Sequence, residues 1–301
     1  MKFKYCRKNF GDELNHIIWP HFFSKIDTRQ NEVFLGIGSI IGMFYFDEYS
    51  KQKVHVFSSG YALGKPETYG EIPKLGKNYN IICVRGPKTA KILNLPPSKG
   101  LLDGAYLLRE LNIPEPKKIK GKIGLILNHE SSDKFEWEKL AFDLDLLWID
   151  PEENVYTIID KIRSCDKIIT EALHGGIVAD LYGIPWVPIK IYKHINIFKW
   201  EDWWESLCLD QVKFIDLPRV FHNIQIQNNI YHRVRIKFLT NIFSFLYDKI
   251  INSFNLYIFK RKISKIIKKN DGNLSERYLM NTKIDEMLLR LNAFIKSNKA
   301  D

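Results

Sequence analysis

Lys167-Ile-Ile-Thr170-Glu171-Ala172-Leu173-His174-Gly175-Gly176-Ile-Val-Ala-Asp180 packs a strand, a sharp turn and a helix start into one short stretch. Lys167–Thr170 reads as a buried strand, and the helix is expected from about Gly175 to Tyr182. Working outward, Asn154–Ser164 reads as a helix with Val155, Ile158, Ile159 and Ile162 on one face, and Trp186–Ile191 as the next strand. Upstream lie the strand Leu146–Ile149, a helix near Ser132–Phe142 and the strand Ile123–Leu127. Strands and helices alternating at this spacing predict βαβ units and a parallel sheet. In such sheets ligands bind beyond the carboxyl ends of the strands, so the loops after strands are where chemistry is expected.

The first half carries the same pattern. Val33–Ile37, Val54–Phe57 and Ile81–Val84 read as buried strands, and Phe10–Phe23 and Pro87–Leu93 as helices, Pro87 suiting a first turn. Between the halves, Asn112-Ile-Pro-Glu-Pro-Lys-Lys-Ile-Lys-Gly-Lys122 has the prolines, glycine and charges of a linker. The expected fold class is α/β: two Rossmann-like domains, residues 1–116 and 117–228, facing a cleft, then a basic helical segment over 229–301.

Composition narrows the class. The 301 residues are 45% hydrophobic and 27% charged, an ordinary globular balance. The cysteines, Cys6, Cys83, Cys165 and Cys208, are scattered, which argues against a disulfide framework or a zinc cluster and fits a reducing compartment. The N-terminal Met1-Lys2-Phe3-Lys4-Tyr5-Cys6-Arg7-Lys8 has no apolar run behind its charges, so a secretory signal is not expected. Phe238–Tyr247 and Ile250–Phe259 are each too short to span a bilayer.

The net charge of +10 is concentrated. Arg233, Arg235, Lys237, Lys249, Lys260, Arg261, Lys262, Lys265, Lys268 and Lys269 face one acid in that window, Asp248, giving 10 − 1 = +9 and leaving +1 for the rest. Interleaved Leu239, Ile242, Phe243, Leu246, Ile250, Phe254, Tyr257 and Phe259 recur at helical spacing. A basic amphipathic helix suits an anionic membrane surface; the alternative is an apolar face packed on the body with its lysines solvated. No nucleic-acid module accompanies the charge, so no nucleic-acid partner is expected.

Several strand ends carry candidate chemistry. His174, at a strand end beside a helix N-terminus, can move a proton near neutral pH or serve as a structural turn residue. Glu171, Gly175 and Gly176 share that turn. Arg85, in Ile82-Cys-Val-Arg85-Gly86-Pro87-Lys88-Thr89-Ala90, can clamp a carboxylate or phosphate, or pair with an acid. Lys88 sits unfavourably in a first helical turn, which suggests an anion nearby. Asn9 or Asp12 can cap the first helix or touch a sugar hydroxyl. Gly36-Ile-Gly38-Ser39-Ile-Ile-Gly42 reads as a tight turn that lets a ligand approach the backbone, not as a dinucleotide fingerprint. In Asn128-His129-Glu130-Ser131-Ser132, His129 and Glu130 can face the cleft, or a serine caps the next helix. Asp103, before Gly104-Ala105, reads as a helix cap rather than a catalytic base. No metal site is expected, and metalloprotease, P-loop and serine-hydrolase motifs are missing from the sequence.

The order of these motifs resembles the polysaccharide pyruvyl transferase family. It rests on Asn9-x-Gly11-Asp12, Gly36-Ile-Gly38-Ser39, Val56-Phe-Ser-Ser-Gly60, Val84-Arg-Gly-Pro-x-Thr-Ala90, Asp103-Gly-Ala105 and Glu171-Ala-Leu-His-Gly175, spread over about residues 9–190. The likeness is to the branch that decorates bacterial exopolysaccharides and capsules. It implies a GT-B-like fold and phosphoenolpyruvate as donor, with no separate cofactor. The implied acceptor is a sugar, often on a lipid-linked oligosaccharide, and the product a cyclic pyruvate ketal. Arg85 matches the family's donor-binding arginine and His174 its general acid. Many members have Arg-Leu-His where this chain has Ala172-Leu173-His174, so either Glu171 marks a branch with a rearranged site or a different cation serves, with Lys88 and Lys190 as candidates. Glu171 or His129 would accept hydroxyl protons. The implied setting is cytoplasmic, peripheral on the inner membrane. A GT-B-like glycosyltransferase using a nucleotide sugar and a non-catalytic membrane-associated assembly protein are the competing readings.

Overall fold

Strands buried on both faces need helices on both sides, and this chain supplies them. The computed structural model describes residues 9–23, 32–41, 52–61, 63, 72, 75–221, 249–269 and 271–298, and the backbone of 2–4 and 238–248. Lys2–Lys4 (β1), Glu32–Leu35 (β2), Lys53–Ser59 (β3) and Tyr79–Val84 (β4) form a parallel sheet in the order β1-β2-β3-β4. Ile123–Ile126 (β5), Leu146–Ile149 (β6), Lys167–Thr170 (β7), Trp186–Lys190 (β8) and Ile215–Asp216 (β9) form a second, in the order β6-β5-β7-β8-β9. Its pairings are also parallel. The fold is therefore α/β, as expected.

The helices are Phe10–Phe23 (α1), Pro87–Ile92 (α2), His129–Ser132 (α3), Trp137–Asp143 (α4), Val155–Ser164 (α5), Leu173–Leu181 (α6), Ile197–Ser206 (α7), Phe238–Lys268 (α8) and Arg277–Ser297 (α9). Sequence periodicity placed α1, β6 and β7 at their observed limits. The expected helix near Ser132–Phe142 is instead two short ones, and Asn128 rather than a serine caps the first, accepting from Glu130 N–H at 3.0 Å. Residues 112–119 form neither helix nor strand. Arg163 pins this linker through the carbonyls of Ile113 and Pro114.

One apolar cluster runs through both halves. It joins Leu14, Ile18 and Trp19 of α1 and Phe34 and Phe57 of the first sheet to Ile126 of the second and to Ile158, Ile177 and Trp203 of helices α5, α6 and α7. Buried Asp180 stitches the same seam. It accepts from Tyr106 Oη at 2.7 Å, Ser275 Oγ at 2.5 Å and Trp186 Nε1 at 3.2 Å.

The basic segment is not a free tail. Phe259, Ile263 and Ile266 of α8 are buried against Trp137 and Leu140. Lys167 Nζ, reaching out of β7, donates to the carbonyls of Ile266 at 2.8 Å and Lys269 at 2.5 Å, a cation on the helix C-terminus. Then α9 returns to the first sheet, where Phe294 meets Phe23, Phe34 and His55. Of the expected apolar stripe, Phe259 is buried while Ile250, Phe254 and Tyr257 are exposed. Leu239, Ile242, Phe243, Leu246, Arg233, Arg235 and Lys237 lie outside the described side chains.

Candidate active site

Loops at the carboxyl ends of strands from both sheets close around a cavity of about 250 Å³. In the second sheet the winding reverses at β5, between β6 and β7, where a ligand crevice is expected. Residues after β5 (Leu127–Glu130), β7 (Ala172–His174) and β8 (His194–Asn196) line the cavity, with Asn9–Asp12, Gly38–Ile40, Pro151, Lys199 and Trp200. Asn9, Asp12, Gly38, Ser39, His129, Glu130 and His174, all singled out by sequence, come together here.

Asn15 holds the first-sheet wall. Its amide bridges α1 to the turn after β2, donating to Ile37 O at 3.0 Å and accepting from Ile37 N–H at 2.9 Å. Gly38 takes φ +118°, a left-handed backbone, and a Cβ there would stand 2.6 Å from Asp12 Oδ1. The turn thus leaves room for a carboxylate. Asn9 caps α1, its Oδ1 accepting from Gly11 N–H at 3.2 Å. Asp12 lies inside the helix and is not a cap.

His174 sits in the first turn of α6, whose N-terminus has no side-chain cap and opens on the cavity. Its imidazole fills the space over Gly11, where a Cβ would lie 1.7 Å from Nδ1. Its Nε2 stands 3.6 Å from Asp103 Oδ2, an ion-pair distance beyond a normal hydrogen bond. Asp103 is fully buried and its Oδ1 caps the following 3₁₀ turn, accepting from Ala105 N–H at 2.9 Å. It is therefore a cap, as read, and also the carboxylate facing His174. Burial opposes its charge, but His174, Arg85 and the Ala105 N–H together hold its pKa below the usual value. Asp12 is the reverse case. Burial pushes its pKa up to about 6, although His174 and Lys199 pull the other way. An imidazole facing one carboxylate kept ionised, in a cavity lined by a second poised near neutrality, is equipped for proton transfer.

Five expectations change. Glu171 does not line the cavity; it is buried, and its Oε1 accepts from the N–H groups of Ile191 at 2.9 Å and Tyr192 at 3.3 Å. Burial raises its pKa against hydrogen bonds from Ser131, Ile191, Tyr192 and Asn128. It fixes the loop after β8 that carries His194. Arg85 is also fully buried, and its guanidinium is spoken for by neighbours: Nε donates to Asp202 Oδ2 at 3.0 Å, Nη1 to Ser39 Oγ at 2.7 Å and Nη2 to Tyr61 O at 3.1 Å. Asp202 also accepts from Thr89 N–H and Oγ1, so Arg85-Gly-Pro-Lys-Thr89 clamps α2 to α7 behind the cavity wall. Lys88 pairs with Glu201 at 2.9 Å, so the anion that its position implied is a side chain. Lys190 pairs with Asp216 at 2.9 Å. Gly175 and Gly176 are packing positions, against Ile126 and Thr170 and against Trp203 and Trp200. The lysine that lines the cavity is Lys199.

Residues 4–194 match the sequence profile of the polysaccharide pyruvyl transferase family. The chain belongs to that family. A curated relative is the succinoglycan biosynthesis protein ExoV of Rhizobium meliloti (strain 1021), 29% identical over 204 residues; these cover 66% of this chain and 61% of the relative's length. A solved structure of an uncharacterised protein from Klebsiella pneumoniae aligns with 71% of this chain and 91% of its own. At 16% identity and a TM-score of 0.43 it is too distant to bear on the fold. The match to the pyruvyl transferase family ends before α7, so Asn196, Lys199 and Asp202 lie beyond it. Sequence reading missed His194, Asn196 and Lys199, although the loop rule applied to β7 would have reached them through the loop after β8.

Proposed function

We propose that this protein transfers pyruvate from phosphoenolpyruvate to a sugar of a bacterial surface polysaccharide, or of its lipid-linked precursor, as a cyclic ketal. The observation that carries this reading is His174, 3.6 Å from Asp103 and lining one cavity with Asp12, in a pyruvyl transferase family member. In this reading the two sheets are Rossmann-like lobes of a GT-B-like body, within residues 1–116 and 117–228, and the cavity between them is the donor–acceptor cleft. The protein works on the cytoplasmic side of the inner membrane.

The chemistry follows from the donor set. Phosphoenolpyruvate brings a carboxylate and a phosphate. Lys199 and the uncapped N-terminus of α6 answer those charges, replacing the family arginine absent at Ala172. Arg85 supports the donor indirectly, by orienting the Ser39 hydroxyl. His174, as imidazolium beside Asp103, gives its proton to the methylene carbon, which becomes the methyl group. Asp12, as carboxylate, takes the proton of the first acceptor hydroxyl, whose oxygen bonds the neighbouring carbon. The carbon–oxygen bond to phosphate then breaks, and a second hydroxyl closes the ring. Of the two hydroxyl protons lost, one balances the proton gained at carbon and the other leaves with phosphate.

His174→Ala is expected to lower turnover by ~10²–10⁴ while the fold survives. Phosphate release from phosphoenolpyruvate in the presence of acceptor glycan measures it. Near-normal turnover in the purified variant would remove His174 from the mechanism. Transfer that requires a nucleotide sugar instead would move the protein to the glycosyltransferase reading.

A further inference from the structure

Helix α8 has two faces with different partners. Positions 252, 256, 259, 263 and 266 point to the body, and Phe259, Ile263 and Ile266 are buried there. On the opposite side, Ile250, Phe254 and Tyr257 stand in one row at spacings of four and three, 65%, 58% and 62% exposed. Side chains this apolar are seldom left out in a row on a surface helix. The row continues at the same spacing through Arg261, Lys265 and Lys268, all exposed. Among the described residues none of these three has an ion-pair partner, whereas Lys260 and Lys262 on the flank are tied to Asp143 and to the Asp216 carbonyl. From Lys249 to Lys269 there is no acidic residue.

We propose that this outer row of α8 docks on an anionic lipid bilayer, its apolar part entering the headgroup boundary and its basic part lying on the phosphates. The charge decides the occupant. A second copy of the chain would bring two cationic rows together, while an anionic surface neutralises them. From Ile250 to Lys268 the row spans about 27 Å of helix, so several headgroups are engaged at once. The helix does not cross a membrane: among the described residues no helix is long and apolar enough. Docking would also place the active site. Phe259 packs on Trp137 (ring centroids 5.6 Å apart), Trp137 on Tyr192 (6.5 Å), and Tyr192 stacks on His194 of the cavity wall (5.7 Å). The inference rests on the proposed lipid-linked acceptor only for its purpose; its test reads lipid binding and no turnover.

The test is flotation of the full chain with phosphatidylcholine vesicles, with and without phosphatidylglycerol. Binding is expected with the anionic vesicles and weak with the neutral ones, and falls as salt rises. Two variants separate the halves of the row: Ile250→Ser with Phe254→Ser and Tyr257→Ser, and Arg261→Glu with Lys265→Glu. Each should weaken binding by about tenfold or more, and neither touches a buried side chain, so thermal melts should match the parent. The proposal is overturned if anionic vesicles fail to bind the parent at low salt, or if both variants bind as it does. It is equally overturned if sedimentation shows a dimer that the serine variant abolishes, since the row would then be covered by a second copy.

Discussion

Gly11→Ala should damage catalysis more than any other single-methyl change in this protein. Gly11 lies in the first turn of α1, where alanine in place of glycine ordinarily favours a helix by about 0.5–1 kcal/mol. Here the new methyl carbon would fall 1.7 Å from His174 Nδ1 and 2.4 Å from Cγ and Cε1. Ordinary carbon contacts need about 3.5 Å, so the ring must move by well over an ångström. It can only leave Asp103, to which it is linked across 3.6 Å. Misplacing a reacting group by about 1 Å costs on the order of 10² in rate, and losing its proton transfer altogether costs ~10²–10⁴. The variant should therefore lose 10² or more in kcat, on the order of the loss in His174→Ala, and also some stability, because the overlap reaches Cγ at the base of the ring. Steady-state phosphate release and a thermal melt on the same preparation measure both. A stable Gly11→Ala enzyme with unchanged kcat would mean that His174 need not occupy the place seen here, and the proton-transfer assignment would fail.

Other consequences are as specific. Asp12, with a folded pKa near 6 against 3.8 unfolded, binds a proton more tightly when folded, so it weakens stability as pH rises through that window. Asp12→Asn should accordingly gain up to about 3 kcal/mol of stability above pH 6 and lose the acidic limb of the pH–rate profile; retention of that limb would exclude Asp12 as the base. Arg85→Ala leaves buried Asp202 without its partner and should cost about 3–5 kcal/mol in denaturant unfolding. Its effect should be on folding before KM, with Asp202→Ala non-additive to it. Lys199→Ala should raise the KM for phosphoenolpyruvate by about tenfold, the worth of one charge-assisted contact. Adding Ala172→Arg should restore part of it, whereas an unchanged KM in Lys199→Ala would send the donor elsewhere in the cavity.

Much of this was legible before the structure. Period 3.6 fixes α1, whose apolar residues face one core, and continuous apolar runs fix β6 and β7, which are covered on both faces by two clusters. The strand-end rule finds His174, Gly38 and His129 because parallel sheets put their loops on one side, and the expected start of the first helix brings in Asn9 and Asp12. Partners distant in sequence were not legible. Nothing near Arg85 announces Asp202, 117 positions away, so a guanidinium at a strand end looked like a ligand clamp. Glu171, three positions before His174, looked like a proton acceptor, but a turn at a strand end sends alternate side chains in opposite directions, and this one went inward to the loop after β8. Asp103 was read as a cap because local spacing can show only that half of its role. No helix was read after the strand that ends near Ile191, so α7, and with it Lys199, stayed out of view.

The central claim is that this cavity joins phosphoenolpyruvate to a glycan. The most direct test is to incubate the purified protein with phosphoenolpyruvate and extracted lipid-linked glycan, follow phosphate release and weigh the product by mass spectrometry. The account predicts phosphate release that depends on acceptor, and a product heavier by one pyruvate less one water, both lost in His174→Ala. A glycan of unchanged mass, with an acceptor verified as competent, would contradict it.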